Sequence, residues 1–347
     1  MFSPEYNILF SFLTSLIITY VSVPKVIYFA NKFRLADIPG ERSSHKRIIP
    51  VFGGVAIFLG IIFSMFIWGY PGSIKFIILS LVIVFFVGVI DDLLGLTPYK
   101  KLIGQILAVL IVIYLGEIQI DSMHGVLGVY VLPDLIATLF TIFVVVVITN
   151  CVNLIDGVDG LAAGIAIISS FFFGVIAYFM NQFDMAIIAF SLIGALLSFL
   201  RYNFHPARIF MGDTGSLLVG MVLSLLAINL IRQGLVTETI DFPNKGPLLA
   251  IVFLAIPLFD SLRVFIARIS EGRHPLYPGR GHIHHALLDL GVGHKKTALY
   301  LCVLSVLLII GSYFLLELNV TLSIAILAFV SFIILIIPFY ILRKRTQ

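Results

Sequence analysis

The sequence predicts an all-α polytopic membrane protein of about eleven transmembrane helices, and three observations lead there. Of 347 residues, 60% are hydrophobic and 12% charged, with a mean hydropathy of +1.13; a soluble chain of this length needs far more polar surface to cover its core. Apolar runs close to the roughly 20 residues that a helix needs to cross a bilayer recur along the whole chain. The connections between those runs alternate between basic and nearly uncharged. Within hydrocarbon the backbone must satisfy its own polar groups, so runs of this kind read as helices.

The spans fall at about 8–30, 51–68, 75–93, 102–117, 134–150, 161–180, 184–200, 215–231, 247–269, 298–316 and 320–341. The first is too long for the apolar core of a signal peptide and lacks a small-residue cleavage site, so it reads as a retained span. One set of connections, with the tail, holds Lys32, Arg34, Arg42, Lys46, Arg47, Lys100, Lys101, Arg201, Arg208, Arg273, Arg280, Lys295, Lys296 and Arg343-Lys344-Arg345. The other holds only Lys75, Arg232 and Lys245. The positive-inside rule makes the basic side cytoplasmic, with the N-terminus outside and the C-terminus in the cytoplasm. That alternation requires an odd number of spans. No internal repeat or low-complexity linker divides the chain, so residues 1–347 read as one membrane domain. Cys151 and Cys302 both fall at or within spans, which implies neither a disulfide framework nor a cysteine zinc site.

Chemistry gathers on the cytoplasmic connections. Asp91 and Asp92 end a span, where the helix dipole repels carboxylates and the two repel each other; a lysine or a bound metal would relieve both. Asp156 and Asp159, in "NLIDGVDGL", open a span. One aspartate suffices as a helix cap, yet Asn150 and Asn153 crowd the same stretch, and glycines at 157 and 160 let a ligand approach the backbone. "FMGDTGSL" adds Asp213. Five carboxylates beside lysines and arginines suit a charged substrate. Oxygen ligands without cysteine suit a hard divalent ion, Mg²⁺ or Mn²⁺, whose shell substrate phosphates complete. In "GRGHIHH", Arg280, His282, His284 and His285 suit anionic phosphate oxygens; zinc is the competing reading, although no H-E-x-x-H or C-x-x-C partner accompanies them.

In order and along nearly the whole chain, these segments resemble the polyprenyl-phosphate N-acetylhexosamine-1-phosphate transferase family. Its aspartate pair matches Asp91-Asp92. Its N-x-x-N-x-x-D-G-x-D-G-L block matches Asn150, Asn153, Asp156, Gly157, Asp159, Gly160 and Leu161. Its F-M-G-D-x-G-S-L block matches Phe210 to Leu217. The muramoyl-pentapeptide branch carries three consecutive histidines, whereas His282-Ile283-His284-His285 is similar to the GlcNAc-1-phosphate branch. So is the early pattern of Asp37, Pro39, Arg42 and His45 before Ile49-Pro50.

The resemblance implies transfer of N-acetylhexosamine 1-phosphate, with GlcNAc favoured, from a UDP-sugar to undecaprenyl phosphate in a bacterial cytoplasmic membrane. UMP leaves, and the product starts a cell-envelope polysaccharide. It implies Asp213, with Asp92, as Mg²⁺ ligands, and Asp91 as the base beside the lipid phosphate. Asp156 would orient the diphosphate or its metal, with Asn153 in the same block. Asp159 and Phe210 would hold the uracil, with Lys46 near the uridine. Arg280, His282, His284 and His285 would meet the sugar-phosphate end, and Lys100 or Lys101 the lipid phosphate. A homodimer is expected by analogy, and no nucleic-acid partner. The muramoyl-pentapeptide transferase is the nearest alternative. A cation-coupled secondary transporter is the alternative from another class, but no inverted repeat or outer polar entrance supports it. A CDP-alcohol phosphotransferase would need an arginine that "DGVDGLAAG" lacks, and an intramembrane aspartyl protease would need two aspartates facing each other in a dry core.

Overall fold

The computed structural model describes residues 3–33, 36–37, 49–70, 72, 74–233, 235–236, 241–242, 244–274, 279 and 281–345. Helices occupy every predicted span: α1 Pro4–Phe33, α2 Gly53–Trp68, α3 Ile74–Leu94, α4 Pro98–Tyr114, α5 Asp134–Ile155, α6 Leu161–Phe179, α7 Phe183–Asn203, α8 Gly212–Gln233, α9 Gly246–Phe253, α10 Ala255–Ser270, α11 Ile283–Asp289, α12 His294–Ser312 and α13 Val320–Arg345. The chain is an all-helical polytopic membrane protein. Among the described residues, eight helices are long and apolar enough to cross a bilayer, and the bent pair α9–α10 makes a ninth candidate. The apolar α2 and the α4 helix are shorter, at 16 and 17 residues.

A helix that is apolar on every side belongs in the middle of a bundle. Helix α8 is that helix, buried without a break from Thr214 to Leu230, with α5, α3, α2 and α6 packed around it. Lipid tails are as apolar as leucine, so close approach and hydroxyl bonds must hold such helices together. Helices α1, α2 and α7 show this directly. Ser15 Oγ donates to the Ser191 carbonyl at 2.7 Å, Ser64 Oγ to the Ser11 carbonyl at 2.6 Å, and Ser198 Oγ to the Leu16 carbonyl at 2.6 Å. Gly88 performs the same task beside the site: a Cβ there would lie 2.4 Å from Thr214 Cα, so only glycine lets α3 reach the start of α8.

The segment expected as a span at 247–269 is not one straight helix. The chain breaks after Phe253 and bends by 80° between α9 and α10. Pro257 explains where. A continuous helix would need the 257 amide to donate to the Phe253 carbonyl, and proline has no such donor and a ring that clashes there. Pro24 in α1 and Pro338 in α13 leave their helices continuous, so neighbouring packing decides whether a proline breaks a span. The features without a sequence expectation include the short helix α11 and an antiparallel hairpin at Ser122–Val126 and Val129–Val131 in the connection between α4 and α5.

Candidate active site

The last turn of α3 delivers both its aspartates to the beginning of α8. Asp92 accepts the Asp213 amide at 2.8 Å, the Thr214 amide at 3.0 Å and the Thr214 hydroxyl at 2.6 Å. It therefore caps α8 from another helix, satisfying donors that a helix start leaves orphaned. The puzzle of a carboxylate at a helix C-terminus is resolved by the neighbouring N-terminus. Asp91, buried, has other partners. One oxygen accepts the Leu96 amide at 2.7 Å, and the other pairs with Lys101 Nζ at 2.5 Å. Lys101 also reaches Asp213 Oδ1 at 3.1 Å. Asn153 Nδ2 donates to that same oxygen and to Ser216 Oγ at 2.8 Å. Lys100, one residue away on α4, is exposed. Of the two candidate lysines, only Lys101 enters the site.

Asp156 follows the last residue of α5, and no hydrogen-bond donor among the described residues reaches its carboxylate. Burial, and then the charges of Asp213, Asp92 and Asp159, push its pKa well above the usual carboxylate range. Gly157 comes next because His284 leaves no room for a side chain: a Cβ at 157 would lie 2.5 Å from His284 Nε2. His284 is buried, and among the described residues its Nδ1 finds no hydrogen-bond partner. Its ring lies parallel to that of His282, centroids 5.7 Å apart and planes 5° apart, and 4.2 Å from that of His285. Behind His282, Asp260 on α10 accepts its Nδ1 at 2.8 Å, and the other Asp260 oxygen takes the Ile283 amide at 2.9 Å and Arg263 at 2.8 Å.

Asp159 is a separate centre. His205 Nδ1 lies 2.7 Å from its Oδ2, which also accepts the Ala207 amide at 3.2 Å, and His294 Nδ1 lies 3.6 Å from Oδ1. Burial raises the Asp159 pKa, but the bonds from His294 and His205 more than offset it and hold the carboxyl below its ordinary range. The two imidazoles stack, centroids 5.1 Å apart. Their ligand atoms and that of Asp159 all lie within 4.8 Å of one another. Phe210 is held by its backbone. Its amide donates to the Pro50 carbonyl at 2.8 Å and its carbonyl accepts from Gly53 at 2.9 Å. Lys46 and Arg280 lie outside the described residues, as do Pro39, Arg42 and His45 of the early pattern.

Asp260, Arg263, His205 and His294 carry no expectation from the sequence. The first two had a signal: an aspartate and an arginine three residues apart inside an apolar span are rarely neutral passengers. His205 and His294 sit in polar connections where a lone histidine is unremarkable until the fold brings it to Asp159. Chemically, Asp91 and Asp213 share the Lys101 ammonium group, Asp92 lies against the Asp213 amide, and Asp156, within reach of the Asp213 and Asp92 charges, meets no hydrogen-bond donor among the described residues. That set fits a hard divalent cation such as Mg²⁺, which takes one or two carboxylates and completes its shell with phosphate oxygens.

Residues 74–231 match the model of glycosyl transferase family 4. The chain is 30% identical over 312 residues to the decaprenyl-phosphate N-acetylglucosaminephosphotransferase of Mycobacterium leprae (strain TN), covering 83% of this chain and 78% of that one. It is 30% identical over 338 residues to the probable undecaprenyl-phosphate N-acetylglucosaminyl 1-phosphate transferase of Bacillus subtilis (strain 168), covering 95% and 90%. The undecaprenyl-phosphate alpha-N-acetylglucosaminyl 1-phosphate transferase of Pasteurella multocida (strain Pm70) is 33% identical over 301 residues, covering 83% and 82%.

Proposed function

The chain belongs to glycosyl transferase family 4, and on that premise we propose that it transfers N-acetylglucosamine 1-phosphate from UDP-N-acetylglucosamine to undecaprenyl phosphate, releasing UMP. It is a phosphoglycosyl transferase, and its relatives are named for a polyprenyl-phosphate acceptor and N-acetylglucosamine as the sugar. One observation carries the reading: Asp91, Asp213 and Asn153, from three helices, converge around Lys101 at helix ends. A transporter would need its acids along a pathway through the bilayer, and a muramoyl-pentapeptide donor is not what the relatives are named for.

An oxygen of the lipid phosphate attacks the sugar-bearing phosphorus of the donor, and the phosphoanhydride bond to UMP breaks. Such a transfer depends on positioning and charge neutralisation more than on a strong base. Asp91, held against Lys101, orients and deprotonates the lipid phosphate, whose charge Lys101 offsets. Asp213 is the residue that would hold Mg²⁺, with the remaining lone pair on Asp92 Oδ1 beside it; bound there, the ion would neutralise diphosphate oxygens. Asp156 orients the donor diphosphate, and Asn153 keeps Asp213 in place. Asp159 accepts from the uracil through Oδ1, the oxygen its neighbours use least, while Phe210 stacks on the base. His282, His284 and His285 face the sugar-phosphate end.

The same proposal has eleven spans, an outer N-terminus and a site facing the cytoplasm of a bacterial inner membrane. Helices α2 and α4 supply two spans that length alone does not count, and α9 with α10 supplies one. The odd total puts every Lys/Arg-rich connection on one side.

The test is UMP release by purified protein given undecaprenyl phosphate, Mg²⁺ and either UDP-GlcNAc or UDP-MurNAc-pentapeptide, with EDTA as control. Lipid- and metal-dependent release from UDP-GlcNAc is expected. Release from the pentapeptide donor alone would overturn the choice of sugar, and release without lipid would overturn the acceptor.

A further inference from the structure

Asp260 is a buried carboxylate inside a segment that otherwise belongs to lipid, and it lies on the far side of the histidines from the acidic centre. Each of its oxygens is committed: Oδ2 to His282 Nδ1 at 2.8 Å, Oδ1 to the Ile283 amide at 2.9 Å and to Arg263 at 2.8 Å. Arg263 in turn donates to the Gly281 carbonyl and lies 3.9 Å from the Phe339 ring centroid on α13. The carboxylate therefore grips both the side chain and the backbone at the start of α11, and a neighbouring helix holds the grip in place.

From this arrangement we propose that Asp260 is the positioning residue of the histidine cluster, fixing the orientation and the protonated nitrogen of His282. The proposal rests on the reading that the cluster meets the sugar-phosphate end of the donor. An ionised carboxylate only accepts, so His282 Nδ1 must carry a proton and Nε2 is turned away from Asp260. Arg263 balances the Asp260 charge, so the pair does not itself require a charged imidazole. The parallel stacking of His282 on His284, and the contact of His284 with Gly157, carry the orientation on to the Asp156 turn. Metal-bound histidines are oriented by carboxylates in the same manner, and those partners matter about 10–100-fold. Here the oriented nitrogen faces substrate.

Asparagine at 260 reverses the arrangement without changing its size. Its single acceptor is claimed by Ile283 and Arg263, so its amide N–H faces His282 and forces Nδ1 to accept. The experiment compares UMP release by wild type, Asp260→Asn, His282→Ala and the double variant, with UDP-GlcNAc, undecaprenyl phosphate and Mg²⁺. Asp260→Asn should lower kcat by about 10-fold or more while leaving both substrate KM values within about threefold. In the His282→Ala background it should cost nothing further, because its effect passes through that ring. Asp260→Glu, which keeps the charge and both acceptors, should retain more activity than Asp260→Asn. It also carries the same double-variant comparison if Asp260→Asn unfolds. Losses that multiply in the double variant, or an Asp260→Asn enzyme as fast as wild type, would overturn the positioning role alone. A fully active His282→Ala enzyme would remove the histidine cluster from the proposed function and the positioning role with it.

Discussion

Asp213 Oδ1 receives Lys101 and Asn153 at once, so a neutral side chain at 213 loses charge without losing shape. Asp213→Asn should cut turnover by at least about 100-fold and weaken the apparent Mg²⁺ affinity; rates measured across a Mg²⁺ titration check both, and an unshifted titration would end the metal assignment. The adjacent lysines offer a sharper contrast. Lys101→Ala removes the cation shared by Asp91 and Asp213 and should cost about 100-fold in kcat/KM, whereas Lys100→Ala on the exposed side should stay near wild type. Comparable losses in both would mean the lysines act from outside the acidic centre. His284 gives a pH prediction. Burial, then the charge of His285, lowers its pKa from 6.5 to about 3. The folded value lies below the unfolded one, so between those limits the unfolded chain binds a proton that the folded chain refuses. Its contribution is intact above pH 6.5 and shrinks as pH falls towards 3. The thermal midpoint in detergent should drop between about pH 7 and pH 5, and His284→Gln should flatten that slope.

Among the elements, α3 and α8 meet through Gly88, and the cap that Asp92 supplies depends on that closeness. Gly88→Ala forces a methyl against Thr214 backbone, an overpacking of about 1–3 kcal/mol. It should lower both the thermal midpoint and the activity. Gly311→Ala on α12, where a Cβ meets nothing within 4 Å, should do neither; equal effects on melting and activity would show that the approach at 88 is not tight. The spans themselves were legible because hydrocarbon selects for long apolar runs whatever they pack against. The break at Leu254 was not, although Pro257 stood in plain view, because Pro24 and Pro338 show that the same residue can be absorbed. The role of Asp92 was also hidden. Composition shows a carboxylate at an unfavourable helix end, but not the helix start that receives it.

For the whole molecule, the distribution of basic residues underlies the proposed orientation, which fusions can test. A fluorescent protein fused after Gln347 should mature and fluoresce, while alkaline phosphatase at the same point should stay inactive, as a cytoplasmic C-terminus requires. The reverse pattern would invert every connection and place the aspartates outside the cell, away from any nucleotide sugar.

Sequence by itself determined that this chain is a polytopic membrane protein and where its helices fall, and it pointed to the connections where acids and histidines gather. Hydropathy, charge asymmetry and contiguous motifs are local properties, and they survive without knowledge of packing. Only the tertiary structure decided how the acids divide their work: Asp92 to cap α8, Asp91 to pair with Lys101, Asp156 to stand without a hydrogen-bond donor among the described residues, and Asp159 to join His205 and His294. It alone brought Asp260 behind His282. Those assignments depend on contacts between segments far apart in the chain, and a carboxylate's task is set by what faces it rather than by its neighbours in sequence.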